Sequence, residues 1–221
     1  MITPENIRHQ IESLTTDLIG CSLCEEQKFP SLRNESSNIS KIDFGKSDLS
    51  IVLKNRPYKE IYNELRRTQA YNLKMIDGAL IQIMYKFKNS SLQSHRLAFF
   101  PSPYLEEFQN NPEIYREDNI YADIIKKNIV PFPIRFDFNF REEVDRDINH
   151  PQSHLTLGQY QNCRIPVSAP LIPSVFIDFI LRNFYNTAFS QYSDKISRFS
   201  EYFENTIVAS EQAFSHVQLP L

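Results

Sequence analysis

Two histidines four residues apart, His150 and His154, stand beside arginines and an aspartate at alternating positions, and here the chain gathers side chains able to do chemistry. Imidazole is the one side chain whose unperturbed pKa lies near working pH, so such a pair can divide the roles of general base and general acid. Arg135 and Arg164 carry forked guanidiniums suited to phosphate oxygens, and Arg96 and Asn139 add donors to the same substrate-binding group. Taken together, these residue types describe metal-independent cleavage of a phosphodiester, with RNA as the first substrate to expect. Asp137, on a neighbouring strand, would orient His154 and completes the expected catalytic set.

The same stretch admits other readings. Asp145, Asp147, His150 and His154 form a mixed imidazole and carboxylate set suited to a divalent metal such as zinc, manganese or iron, and Asp137, Glu142 and Glu143 could converge on magnesium. Pro151 works against a helical pair of histidines, so a turn would have to supply that geometry. A structural reading makes His150-Pro151 a turn, satisfies His154 with Asp137 across the ladder and pairs Arg135 and Arg164 with the acidic run EEVDRD. Binding without catalysis is the fourth: Lys86, Lys88 and Arg96 would enlarge a basic face able to hold nucleic acid, with Phe100 as its one aromatic platform.

Strands must position these groups. From Ile134 to Phe140, Ile134, Phe136, Phe138 and Phe140 alternate with Arg135, Asp137, Asn139 and Arg141, the period-two signature of a strand with one buried face. Leu155 and Leu157 alternate with His154 and Thr156, and Ile165 and Val167 flank the strand that follows Arg164. If every apolar set points at one core, the polar sets share the opposite face. That face would carry Arg135, Asp137, Asn139, Arg141, His154, Thr156 and Arg164.

Helices bracket this block. Thr3-Pro4-Glu5 starts one, with Ile7, Ile11, Leu14 and Leu18 along a stripe and Gly20 as its stop. Pro30 to Ser40 reads as a polar loop, with short strands expected at Ile42 to Phe44 and Ser50 to Leu53. Pro57 opens a second helix, Asp77-Gly78 marks a turn, and Ile81 to Phe100 reads as a hairpin. Tyr104 to Asn128 reads as a helix broken at Asn111-Pro112. Val175 to Phe184 is helical, and Tyr192, Ile196, Phe199, Phe203 and Ile207 have the spacing of a last helix.

That order predicts an α+β fold with a largely antiparallel central sheet of about five or six strands, helices packed on one face and a C-terminal helical pair. One domain over residues 1–221 is expected, with an N-terminal helix and polar loop (1–40), a sheet-forming core (41–167) and C-terminal helices (168–221). The C-terminal helices offer a surface for a protein partner or a homodimer, and a non-catalytic protein-interaction subunit is the alternative to a nucleic-acid function.

Composition narrows the classes. A hydrophobic content of 41% fills a sizeable core, while four glycines leave no material for a P-loop or a dinucleotide fingerprint. A net charge of −3 excludes overall basicity, though not a local basic face. No apolar run approaches the ~18 residues of a membrane span, and no leader is visible, so a cytoplasmic protein is expected. Cys21 and Cys24 form a CxxC at the wrong end of a helix for thiolate formation, and Cys163 is far away, so ordinary thiols are expected.

The segments DGAL (Asp77 to Leu80), RLAFFPSP (Arg96 to Pro103), RFDF (Arg135 to Phe138), HPQSHLTLG (His150 to Gly158) and the run Cys163 to Tyr185 carry a resemblance. The chain resembles an uncharacterised bacterial family, domain of unknown function 2290, from about the second helix to Tyr185, with HPxxH entering a strand as the most specific feature. That resemblance implies a soluble bacterial origin and no residue roles. An arginine–aspartate strand followed by a histidine strand is also similar to small bacterial toxins, which implies an effector or accessory subunit of a toxin–antitoxin or phage-defence system.

Overall fold

The computed structural model describes residues 2–36, 38–45, 56–104, 131–141, 150–160 and 162–219. Thr3 caps helix α1 (Pro4–Gly20): its hydroxyl accepts from Asn6 N at 3.2 Å, and Asn6 Oδ1 accepts from Thr3 N at 2.9 Å, so two of the orphan donors at the helix start are satisfied reciprocally. Ile7, Ile11, Leu14 and Leu18 follow on one stripe, and all four are buried against the sheet.

Nine strands make that sheet: β1 (Cys24–Gln27), β2 (Ser31–Ser36), β3 (Ile39–Asp43), β4 (Leu73–Met75), β5 (Leu80–Lys88), β6 (Ser91–Phe100), β7 (Ile134–Asn139), β8 (Ser153–Leu157) and β9 (Ile165–Pro166). All pairs are antiparallel, in the order β1-β4-β5-β6-β7-β8-β9; β3 takes the second half of the edge of β5 that β4 leaves open, and β2 pairs outside β3. Asn89 and Ser90 both have positive φ, 50° and 63°, as the two-residue hairpin between β5 and β6 requires. The α+β class with an antiparallel sheet is as expected from the sequence, and the sheet is larger because β1, β2 and β4 extend it.

Register divides the side chains cleanly. Ile81, Ile83, Tyr85 and Phe87 of β5 share a face with Leu97, Phe99, Phe136 and Leu155, and this face packs with α1 and with α3 (Pro173–Phe184) in the main core. α4 (Asn186–Tyr192) and α5 (Ala209–Gln212) are short. On the other face, Leu80, Ala98 and Phe100 pack with Ile61, Tyr62 and Leu65 of α2 (Tyr58–Arg67) in a second cluster. Helices therefore lie on both faces rather than on one. The physical cause is the unbroken apolar run Leu97 to Phe100, which needs cover on both sides.

Two further expectations change. The segment 30–40, expected as a polar loop, contributes to the β2–β3 hairpin. The last helix expected over Tyr192 to Ile207 does not form: a 3-10 turn, Ser193–Lys195, follows α4, and the chain then runs on without helix to Val208. Ile196, Phe199 and Phe203 still pack on the main core, and the backbone N–H groups of Thr206 and Ile207 donate to Ser168 O at 2.9 and 3.2 Å. A strap that dips its aromatics onto a core satisfies the same spacing as a helix. The apolar stripe of α3 is spent within the chain, since Phe176, Ile177, Ile180 and Leu181 are buried in the main core. Among the described residues no helix is long and apolar enough to cross a membrane. The strand expected at Ser50 to Leu53, the helix expected over Tyr104 to Asn128 beyond its first residue, and the acidic turn with Glu142, Glu143, Asp145 and Asp147 lie outside the described residues.

Candidate functional site

Beyond the cover of α2, the upper face of the sheet turns polar. Antiparallel register sets Met84, Arg96, Asp137 and His154 in one row across β5 to β8, with Lys86, Ser94 and Asn139 in the row on one side and Ala98, Arg135 and Thr156 in the row on the other. The side chains of Arg96, Arg135, Asp137, Asn139 and His154 thus share a face, and they line a cavity of about 1460 Å³. Its near wall is the β2–β3 hairpin with Arg33, Lys41 and Asp43; its far wall is the β8–β9 loop with Tyr160, Asn162 and Arg164. His150 and Arg141 also line it, and Arg141 Nη1 donates to His150 O at 3.4 Å.

At the centre of the floor, Asp137 stands between two arginines. Its Oδ1 accepts from Arg96 Nε at 3.1 Å, and its Oδ2 lies 3.8 Å from Arg135 Nε, an ion pair without a hydrogen bond. Arg135 Nε is therefore a buried donor with no hydrogen-bond partner. Burial pulls the pKa of Arg135 below its ordinary value, Asp137 opposes that pull, and Arg96 and Arg164 add to it. A guanidinium stays charged through such a shift. The floor therefore holds a largely desolvated cation.

His154 is also largely buried. Its Nδ1 lies 3.1 Å from Pro151 O and donates to it, so Nε2 is the ring's acceptor. This corrects the expected role of Asp137: the carboxylate opposite His154 in register is engaged by arginines, and the Pro151 carbonyl three residues upstream orients the imidazole. Burial lowers the His154 pKa, Asp137 and the Pro151 bond oppose the change, and Arg164 and Arg135 reinforce it. The ring is neutral at pH 7.

The remaining expected residues divide. Lys86 lines the cavity, whereas Lys88 stands at the hairpin end and does not. Phe100 is no platform, because it is fully buried under α2. The exposed aromatic is instead Tyr160, 78% exposed on the β8–β9 loop. That loop is tied down by Gln159 Nε2, which donates to Arg56 O at 2.8 Å just ahead of α2. Among the described residues no three His, Cys, Asp or Glu side chains stand together as metal ligands; Asp145 and Asp147, half of the expected set, lie outside them. Burial pushes the Cys24 thiol up to about 11 and raises that of Cys21, so neither forms a thiolate readily.

Arg33, Lys41 and Asp43 were not singled out by the sequence reading. Both carboxylate oxygens of the buried Asp43 accept from Arg33 Nη2, at 2.6 and 2.5 Å, and Lys41 Nζ lies 3.6 Å from the same group. The signal was available: Arg33 with Glu35, and Lys41 with Asp43, are charges two apart, as on one face of a strand. In all, seven arginines and lysines line the cavity against three carboxylates among the described residues, in a chain whose net charge is −3.

A family model described as "Uncharacterized conserved protein (DUF2290)" matches residues 23–219. No curated protein and no solved structure matches the chain.

Proposed function

We propose a function from this premise: the chain belongs to the DUF2290 family, and its cationic cavity binds the sugar–phosphate backbone of single-stranded nucleic acid. The reversal of charge carries the reading. An acidic chain that gathers seven cations around one hollow attracts polyanions there and repels them elsewhere.

Details of the hollow support the same ligand. The Arg135 guanidinium lines the floor largely desolvated, and a phosphate oxygen meets that charge better than a neutral ligand would. The floor arginines are recessed, with side chains 24% and 17% exposed for Arg96 and Arg135, behind the walls of the β2–β3 hairpin and the β8–β9 loop. A flexible single strand can lower its phosphates to that floor, whereas a stiff duplex meets the walls first. Tyr160 on the far wall offers a face for a base to stack on. Nothing in the site itself speaks for a toxin–antitoxin or defence role, which stays outside the proposal.

Fluorescence anisotropy with labelled single-stranded RNA, single-stranded DNA and duplex tests it. Single strands are expected to bind more tightly than duplex, affinity is expected to fall steeply between about 50 and 200 mM salt, and Arg135→Ala is expected to remove most of it. Absence of binding to every strand at the lower salt overturns the reading and leaves the protein-interaction subunit in its place.

A further inference from the structure

We propose that this site cuts RNA, with His154 Nε2 taking the proton from a ribose 2′-hydroxyl. The inference rests on the strand-binding reading above and adds a reaction to it. The 2′-oxygen, once deprotonated, attacks the adjacent phosphorus. A P–O2′ bond forms, the P–O5′ bond breaks, and the leaving 5′-oxygen takes a proton from His150. The products are a 2′,3′-cyclic phosphate and a 5′-hydroxyl end, with no co-reactant consumed. His154 now holds the proton that the ribose lost and His150 lacks one; exchange with water resets both.

Three observations place the parts. First, the bond from His154 Nδ1 to Pro151 O fixes the tautomer, so that the ring's second nitrogen is a lone-pair base on a cavity floor. Second, His154 pairs with Asp137 and Thr156 with Arg135, which makes His154 and Arg135 diagonal neighbours across the β7–β8 ladder. Diagonal partners have side-chain origins roughly 7–8 Å apart, room for a 2′-hydroxyl against the imidazole while a non-bridging phosphate oxygen meets the guanidinium. Third, the Arg135 guanidinium lines the cavity floor largely desolvated, already in place for charge that builds on the phosphorane oxygens.

The surroundings keep the base ready. Asp137 and Arg135 face His154 from β7, and Arg164 acts on it from the loop before β9; burial and the two arginines outweigh the carboxylate, so the ring is unprotonated at neutral pH. Asp137 is a positioning residue in this scheme, since it acts by holding Arg96 and Arg135. His150 lines the same cavity, as the acid requires.

The test uses the full chain with a short single-stranded RNA of mixed sequence, its all-2′-deoxy copy and its all-2′-O-methyl copy, each in excess chelator, with anisotropy and product analysis on the same samples. Cleavage of RNA alone, with cyclic-phosphate ends, is expected. His154→Ala and His154→Gln, each checked by its melting temperature, are expected to slow it by about 10²–10⁴-fold. The wild-type rate is expected to follow a bell-shaped pH profile, as one base and one acid require, with its acid limb below the ordinary imidazole range. Strands bound but none cut, cleavage of the 2′-deoxy copy, or RNA cleavage undiminished in both variants overturns this inference and leaves the binding reading standing. No strand bound by the wild type overturns both.

Discussion

His95 lies directly behind the site, and acid should act on the fold through it. It precedes Arg96 on β6 but points the other way, into the core between Tyr85 and Phe138, with ring centroids 5.5 and 5.8 Å away. Only 4% of the residue is exposed. Its Nε2 accepts from Leu171 N at 3.1 Å, which anchors the chain just before α3. Burial lowers its pKa from 6.5 to about 4, with Asp137 opposing and His154 adding to the shift. The unfolded chain therefore binds this proton first. Stability is undiminished above the unfolded pKa, falls as pH drops through the window from 6.5 towards 4, and levels off below it. Two-state linkage with those two pKa values gives a loss of about 2 kcal/mol at pH 5 and about 3 kcal/mol in the acid limit. His95→Gln keeps a side-chain oxygen for Leu171 N and removes the titration. Urea unfolding at pH 7.5 and pH 5 of both proteins reads the difference of differences, in which the other titrating groups cancel. Wild type is expected to lose about 2 kcal/mol more than the variant on acidification. Equal losses would refute the argument that a neutral imidazole is sealed in this core.

Tyr160→Ala is expected to weaken single-strand binding by roughly 5- to 150-fold in anisotropy, from the ~1–3 kcal/mol that one base–aromatic stack supplies, with an unchanged melting temperature because the ring is exposed. Asp137→Asn removes one of the three carboxylates that line the cavity among the described residues, and is expected to tighten strand binding at low salt and to steepen its salt dependence. Weaker binding would mean that the carboxylate's hold on Arg96 and Arg135 matters more than its charge. Gly78→Ala is expected to destabilise the fold by about 1–3 kcal/mol in urea titration, since φ is 83° and a Cβ would lie 3.2 Å from Ser102 Oγ and 3.3 Å from Tyr62 Oη.

Where one face of a strand is apolar and the other is not, the sequence is enough to orient it. Ile134, Phe136 and Phe138 sink into the main face, and Arg135, Asp137 and Asn139 stand together on the other, as their alternation requires. β2 escapes the same logic because residues 31–36 hold only one apolar side chain, Leu32, so no period exists to read; the Arg33–Asp43 pair that braces it to β3 is a contact ten residues apart in sequence. Helix α2 was legible as a helix, but not its side of the sheet, since its amphipathic stripe fits either face and only the run Leu97 to Phe100 asks for cover on both. Tyr192 to Ile207 misleads because core-directed aromatics at spacings of three and four suit a strap as well as a helix. Register placed Asp137 opposite His154 correctly, yet proximity does not choose a hydrogen bond. With two arginines competing for the carboxylate, the imidazole turns to a backbone carbonyl.

The boundary between the covered and open halves of the upper face explains why Arg135 is the more desolvated of the two floor arginines that Asp137 holds. Gln82, Ala98, Arg135 and Thr156 form one row across β5 to β8. Ala98 is packed in the cluster with α2, and Gln82 is buried with its Nε2 donating to Ala70 O at 2.6 Å, so this row lies under the lid, and of the next row Met84 packs against the same cluster. Arg135 projects from the edge of that lid into the cavity, whereas Arg96, one row further on, is more open to water. A charge held half out of water at such an edge gains more from an arriving phosphate than a fully hydrated one does, because its hydration is already lost before the ligand comes. The bond from Gln159 to Arg56 O fastens the loop bearing Tyr160 to the same lid. The apolar packing of α2 thus bears on both the depth of the arginine seat and the position of the aromatic wall, and the proposed anion binding is expected to weaken where that helix is loosened.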